Sequence, residues 1–233
     1  MTARRFILTA ITLASSSAVI YTIYLHRSLS HLVKHKGGNG FVNSDDENRL
    51  IIESLPPELA DPSNFVVIND VASKLIPSAK LPKYDEPNLM LTNYLRWTMS
   101  RFSRFPQAWM LRMVFKSPEA KKTFGASFIQ TLDFSPGDIV CGAYHVQVRS
   151  PTKVEFGMIS AAGLPPIDGR LVVSIQEQGD HTLFMTETLQ WRRREESFQL
   201  PLERKSMKWL HELASWWLLE AGTRWLCESK GKL

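Results

Sequence analysis

Apolar and polar residues alternate most regularly between residues 127 and 192. Strand patterning falls at Ser127–Leu132, Ile139–Arg149, Lys153–Ile159, Leu171–Glu177 and Thr182–Arg192. Turn residues separate these runs: Ser135-Pro136-Gly137-Asp138, Ser150-Pro151, Gly163-Leu164-Pro165-Pro166 with Asp168-Gly169, and Gln178-Gly179-Asp180. Connections this short predict an antiparallel meander. After Pro201 the apolar spacing lengthens. Leu202, Leu210, Leu213, Ala214, Trp217, Leu218 and Ala221, widened by Trp209, Trp216 and Trp225, predict one long helix to Cys227. Upstream, Phe65–Ile68 reads as a short buried strand. Leu91, Tyr94, Leu95, Thr98, Met99 and Phe102 predict a helix that breaks at Pro106 and resumes to Phe115. The expected fold is α+β, an antiparallel sheet gripping a long C-terminal helix, over residues 64–233.

The N-terminus has a different pattern. Phe6 to Leu25 form 20 consecutive residues without a charge, and Arg4 and Arg5 precede them. At about 1.5 Å per residue such a helix crosses a bilayer core of about 30 Å. This predicts a transmembrane anchor over residues 6–25 behind a short tail, residues 1–5. A cleaved signal peptide is the competing reading, since Ser16-Ser17-Ala18 offers small residues, but the apolar run continues past them. Arg27, Lys34 and Lys36 follow the span, so the positive-inside rule puts the folded part in the cytosol, at the endoplasmic reticulum or a related membrane. His31 and His35 belong to this basic segment and read as solvated rather than metal-binding. Residues 26–63, with Gly37-Gly38-Asn39-Gly40 and Pro56-Pro57, have the composition of a juxtamembrane segment and linker.

Composition then excludes several classes. The net charge of +5 is small and dispersed, which argues against nucleic acid. Cys141 and Cys227 are the only cysteines, too few for a disulfide framework or a zinc cluster. No glycine-rich phosphate loop follows a strand, and no triad or metal-ligand spacing is present, so no cofactor is implied. Between Pro87 and Pro118 stand five basic residues and no acidic one. Arg96, Arg101 and Arg104 among them read either as a solvated helix face or as a surface for lipid head groups.

Two residues carry the candidate chemistry. At period two the last strand has a polar face (Thr182, Thr186, Thr188, Gln190) and an apolar one (Leu183, Met185, Glu187, Leu189, Trp191). Glu187 is thus a carboxylate in an apolar row. Facing a cavity, it would be desolvated and suited to general acid or base work. Tyr144 shares a face with Val140, Gly142, Val146 and Val148, where a buried hydroxyl needs a partner. Trp191, Met185 and Leu189, with Trp217, Leu213 and Leu210 on the helix, are the expected pocket walls. His145 and Cys141 lie too far apart on one strand to act as a nucleophilic pair.

The order of elements from Asn64 to Cys227, with Gly137-Asp138 and Asp168-Gly169-Arg170 opening strands, resembles the START-like or helix-grip superfamily. That resemblance rests on element order, because the superfamily has no signature. It implies an apolar cavity between sheet and helix, and either a cofactor-independent cyclase or isomerase of secondary metabolism or a lipid or isoprenoid carrier. A scaffold that uses the basic helices is the third reading. The expected partners are a membrane and a hydrophobic small molecule.

Overall fold

The computed structural model describes residues 19–41, 51–160 and 166–230. Seven strands form one sheet: β1 (Lys34–Asn39), β2 (Phe65–Pro77), β3 (Ile139–Val140), β4 (Tyr144–Arg149), β5 (Lys153–Met158), β6 (Asp168–Gln178) and β7 (His181–Arg193). Their spatial order is β1-β2-β7-β6-β5-β4-β3, and every neighbouring pair is antiparallel. The helices are α1 (residues 19–32), α2 (Pro87–Phe102), α3 (Pro106–Val114), α4 (Pro118–Lys122), α5 (Ala126–Ile129) and α6 (Lys205–Ser229). The α+β class and the long C-terminal helix against the sheet agree with the sequence pattern.

The start of α6 is fixed to the end of β7. Arg192 donates two hydrogen bonds of 2.9 Å to the Glu203 carboxylate, which also accepts the Leu200 amide at 2.6 Å. Gln190 accepts the Leu202 amide from the same strand. The turn Pro201–Glu203 therefore delivers the helix onto the inner face of the sheet, where α2 packs beside it.

The outer face is covered as well. Residues 51–60 cross it as a strap, and Ile52, Leu55 and Leu59 pack on Val172, Leu183, Met185, Leu189 and Trp191. The strap is anchored at Glu155, which is fully buried and accepts the amides of Glu53 and Ser54 at 2.9 Å each and the Lys153 ammonium at 2.7 Å. Burial by itself would raise the Glu155 carboxyl. The hydrogen bonds from Lys153 and from the two strap residues outweigh it and hold the group below the usual carboxylate range.

Several expectations need correction. The stretch 127–132 is not a strand but the short helix α5 and the turn after it, because Ile129 and Leu132, three residues apart, both face the core. The run 139–149 is split into β3 and β4 by a turn in which Cys141 and Gly142 both take positive φ. β2 extends nine residues beyond Ile68 to Pro77, and residues 34–39, of linker composition, form the edge strand β1.

The membrane anchor is also overturned. Among the described residues no helix is long and apolar enough to cross a membrane, so they contain no single-pass span and the localisation read from one loses that support. The described end of that stretch belongs to α1, whose Leu25 and Leu29, with Val33 just after it, pack into the main core; residues 6–18 lie outside the described residues.

The Glu155 clamp has a pH signature. A folded-state carboxyl held below its unfolded value adds stability that is complete above about pH 4.3 and is lost as pH falls through the folded value. The protection of the Glu53 and Ser54 amides, taken relative to their intrinsic exchange rates, should therefore fall on acidification. Glu155→Ala should give the same loss of protection at neutral pH, with a loss of stability on the order of 3 kcal/mol. Unchanged exchange at those amides in the variant would refute the clamp.

Candidate functional site

β2 carries two charged side chains on its inner face, Asp70 and Lys74, and both are answered by α6. Asp70 is 3% exposed, and its Oδ2 lies 3.1 Å from His211 Nε2. Lys74 pairs with Glu220. Four residues of strand and nine of helix both advance about 13 Å, so α6 runs alongside β2 with the two pairs in step. Gly37 on β1 leaves room for the Asp70 carboxylate: a Cβ there would lie 3.2 Å from Asp70 Oδ1 and 3.2 Å from the Asn69 carbonyl. Gly222 has the same role between helices, where a Cβ would stand 2.7 Å from the Tyr94 ring and 2.8 Å from the Thr98 methyl. The two helices close up there and leave a cavity on the N-terminal side of Gly222.

That cavity has a volume of about 90 Å³. The sheet contributes Tyr144, Leu171, Val173, Thr186 and Thr188 to its wall; α2 contributes Tyr94, Thr98, Met99 and Phe102. α6 closes it with His211, Ala214, Ser215, Leu218 and Leu219. The exposed lining is mainly apolar, although hydroxyl residues and His211 contribute to it from all three elements. The Thr98 hydroxyl is already spent on the Tyr94 carbonyl at 2.8 Å. Among the described residues the Tyr94 and Tyr144 hydroxyls meet no protein partner, and neither does His211 Nδ1. Burial pushes both tyrosines above their ordinary value, helped at Tyr144 by the nearby Cys141, so both remain protonated donors. With Nε2–H given to Asp70, Nδ1 is the ring nitrogen left over for a further contact.

Of the expected site residues, Tyr144 lines this cavity and Glu187 does not. In the register of β7 with β2 and β6, Glu187 stands opposite Val71 and Val172, while Thr186 and Thr188 stand opposite Ala72, Val173, Asp70 and Leu171. The polar row of β7 thus faces the helices, and the apolar row with Met185, Glu187, Leu189 and Trp191 faces the strap. A step of one residue along a strand changes face, so this single assignment moves all four. Glu187 is buried there and has an interaction partner.

The helix walls are rotated too. Leu210, Leu213 and Trp217 lie one residue, about 100°, from the lining set His211, Ala214 and Leu218. Trp217 instead stacks on Trp97, at 6.4 Å between centroids, and meets the tilted ring of Phe105 at 5.3 Å. The three arginines do not act together. Arg96 binds the Leu132 carbonyl and Asp133 on the loop after α5, Arg101 lies over the Trp97 ring, and Arg104 is exposed. They support no membrane surface.

The sequence reading passed over Asp70, His211 and Tyr94. Asp70 was visible as a lone acid in the apolar run Phe65–Ala72, and His211 as the one titratable member of the spacing 211, 214, 215, 218. Among the described residues no group of three metal-ligating side chains comes together.

A second, larger groove of about 660 Å³ lies at the far end of the inner face, between the loop after β2 and the start of α2, lined by Leu81, Tyr84, Met90, Ile175 and Thr182.

No protein-family model matches the chain, and no curated protein matches it. Among solved structures it is similar to a crystal structure of CalU16 from Micromonospora echinospora, at 11% identity and a TM-score of 0.34, over 86% of this chain and 97% of that one. A solution NMR structure of CalU16 gives 10% identity and a TM-score of 0.31, over 79% of this chain and 73% of that one. At these scores the likeness carries no argument about the site.

The free hydroxyls are testable by stability alone. Tyr94→Phe and Tyr144→Phe remove no protein hydrogen bond and should leave the melting temperature unchanged or slightly raised, whereas Tyr94→Ala should cost about 3–5 kcal/mol through the lost ring. A fall of several degrees in either Phe variant would show that its hydroxyl has a structural partner.

Proposed function

We propose that this chain binds a small hydrophobic molecule in the cavity between the sheet and α6 and promotes its isomerisation or cyclisation. The observation that carries the reading is that two tyrosines, whose hydroxyls meet no partner among the described residues, and an aspartate-held histidine line one cavity together with apolar side chains and the hydroxyl residues Thr98, Thr186, Thr188 and Ser215. Buried polar groups normally satisfy one another, and those left open toward a cavity are available to a ligand. The helix-grip arrangement, read as START-like, is consistent with such a pocket. The walls would hold one reactive conformer, and Tyr144 would donate a hydrogen bond to it. The ligand is small. About 90 Å³ falls short of the roughly 150 Å³ that holds benzene in an apolar cavity, so a ring must displace a flexible wall side chain such as Met99.

The second reading is a non-catalytic carrier of a lipid or isoprenoid. It is favoured by the larger groove, whose 660 Å³ lies within the usual range of about 300–1,000 Å³ for ligand sites.

Native mass spectrometry of the full chain after incubation with an apolar metabolite extract separates the two. The cavity reading expects a retained small molecule that Ala214→Trp abolishes and Met90→Trp leaves in place, because Ala214 lines the cavity and Met90 the groove. Glu187→Gln, on the outer face, should keep it as well. Loss in Met90→Trp with retention in Ala214→Trp would move the function to the groove and to the carrier reading.

A further inference from the structure

The cavity holds the parts of a proton-transfer site for a carbonyl compound, and this inference rests on the cavity being the ligand site. A base needs a lone pair, a fixed orientation and a way to stabilise the cation it becomes. His211 has all three. Its Nε2 is bound to the nearly fully buried Asp70, which fixes the ring and stabilises the imidazolium, and the Asp70–Nε2 contact leaves Nδ1 as the acceptor. A developing oxyanion needs donors that are already oriented and held away from water. Tyr94 and Tyr144 line the same cavity from opposite layers, α2 and the sheet. Their rings are fixed by Phe184 at 5.3 Å, and by Phe102 at 5.8 Å and Phe156 at 6.4 Å, while their hydroxyls meet no partner among the described residues.

We propose that His211, positioned by Asp70, transfers a proton at the carbon next to a carbonyl group whose oxygen is held by Tyr94 and Tyr144. The substrate class is a small, mainly apolar enolisable ketone or enone. The step balances without a co-reactant. Nδ1 takes the proton from the α-carbon, and the C–H electron pair moves into the new C=C bond as the carbonyl oxygen becomes an enolate oxygen between the two hydroxyls. The imidazolium then returns the proton at the γ-carbon of a β,γ-unsaturated ketone, giving the conjugated isomer. The same enolate attacking an internal electrophile would close a ring. Asp70 touches no substrate atom and is a positioning residue; the catalytic residue is His211.

Two probes test the binding and the chemistry separately on the full chain. 4-Nitrophenol, whose phenol oxygen resembles an enol oxygen, reports binding through its absorbance. Isomerisation of 3-cyclohexen-1-one to its conjugated isomer reports proton transfer. The expected results are saturable 4-nitrophenol binding, weakened about tenfold in Tyr94→Phe and in Tyr144→Phe, and an acceleration of isomerisation that His211→Gln reduces by about a hundredfold or more. Asp70→Asn should lower kcat and leave KM near its wild-type value. His211→Ala, checked for a native melting curve, guards against a folding defect in the glutamine variant. Binding of 4-nitrophenol with no acceleration, or with one that survives both His211 variants, would overturn the proton-transfer proposal and leave the cavity as a ligand site. A folded chain that neither binds 4-nitrophenol nor accelerates the isomerisation would overturn both.

Discussion

The structure depends on how α6 is tied to β2. A strand that carries an aspartate and a lysine on a face due for burial must find each of them a partner, because an unpaired charge taken out of water costs several kcal/mol. His211 and Glu220 supply the partners, and the spacing along the helix matches the spacing along the strand. Sliding α6 by one turn would break both pairs at once. The helix therefore has one axial position on the sheet, and His211 is presented at the cavity wall as a consequence. A side chain that serves the fold through one nitrogen has the other left for chemistry.

The second constraint is that both faces of the sheet are covered. β7 is buried along nearly its whole length, so its alternation of apolar and polar residues does not distinguish core from solvent. The apolar row meets Ile52, Leu55 and Leu59 of the strap, and the threonine row meets the helices. A polar row can face a buried cavity because hydroxyl groups tolerate either apolar contact or a ligand. The strap itself is held by a carboxylate that would be expensive to bury without the two amides and the ammonium it receives. Each face thus has a buried acid at its anchor point, Asp70 inside and Glu155 outside.

The legible part of the sequence was the succession of elements. The antiparallel run from Lys153 to Arg192, the break at Pro106 and the helix after Pro201 follow from local alternation and from proline chemistry, and these stand in the structure. What local pattern does not contain is which layer covers which face. Glu187 was an acid in an apolar row, and the inference that such a row faces the main core would hold for a sheet with one wet side. Residues 51–60 removed that premise, and their linker-like composition hid the role. The helix walls differ for a similar reason: Leu210, Leu213 and Trp217 are apolar enough to line a pocket, but the rings of Trp97 and Phe105 were there to receive Trp217. Tyr144 lines the cavity from β4, in a row whose members Val140 and Val146 are also buried. Asp70 and His211 are far apart in sequence, and only the register of β2 against α6 brings them together.

The assignment of faces is what the functional account stands on, and methyl NMR on the full chain tests it most directly. With isotope-labelled alanine, threonine, valine and leucine methyl groups, titration with cyclohexanone should shift Ala214, Val173, Thr186 and Leu219, which line the cavity. The methyl groups of Val172, Leu183 and Leu189, under the strap, should stay where they are. Shifts confined to that second set would put the ligand on the outer face, return Glu187 to the site and contradict the account.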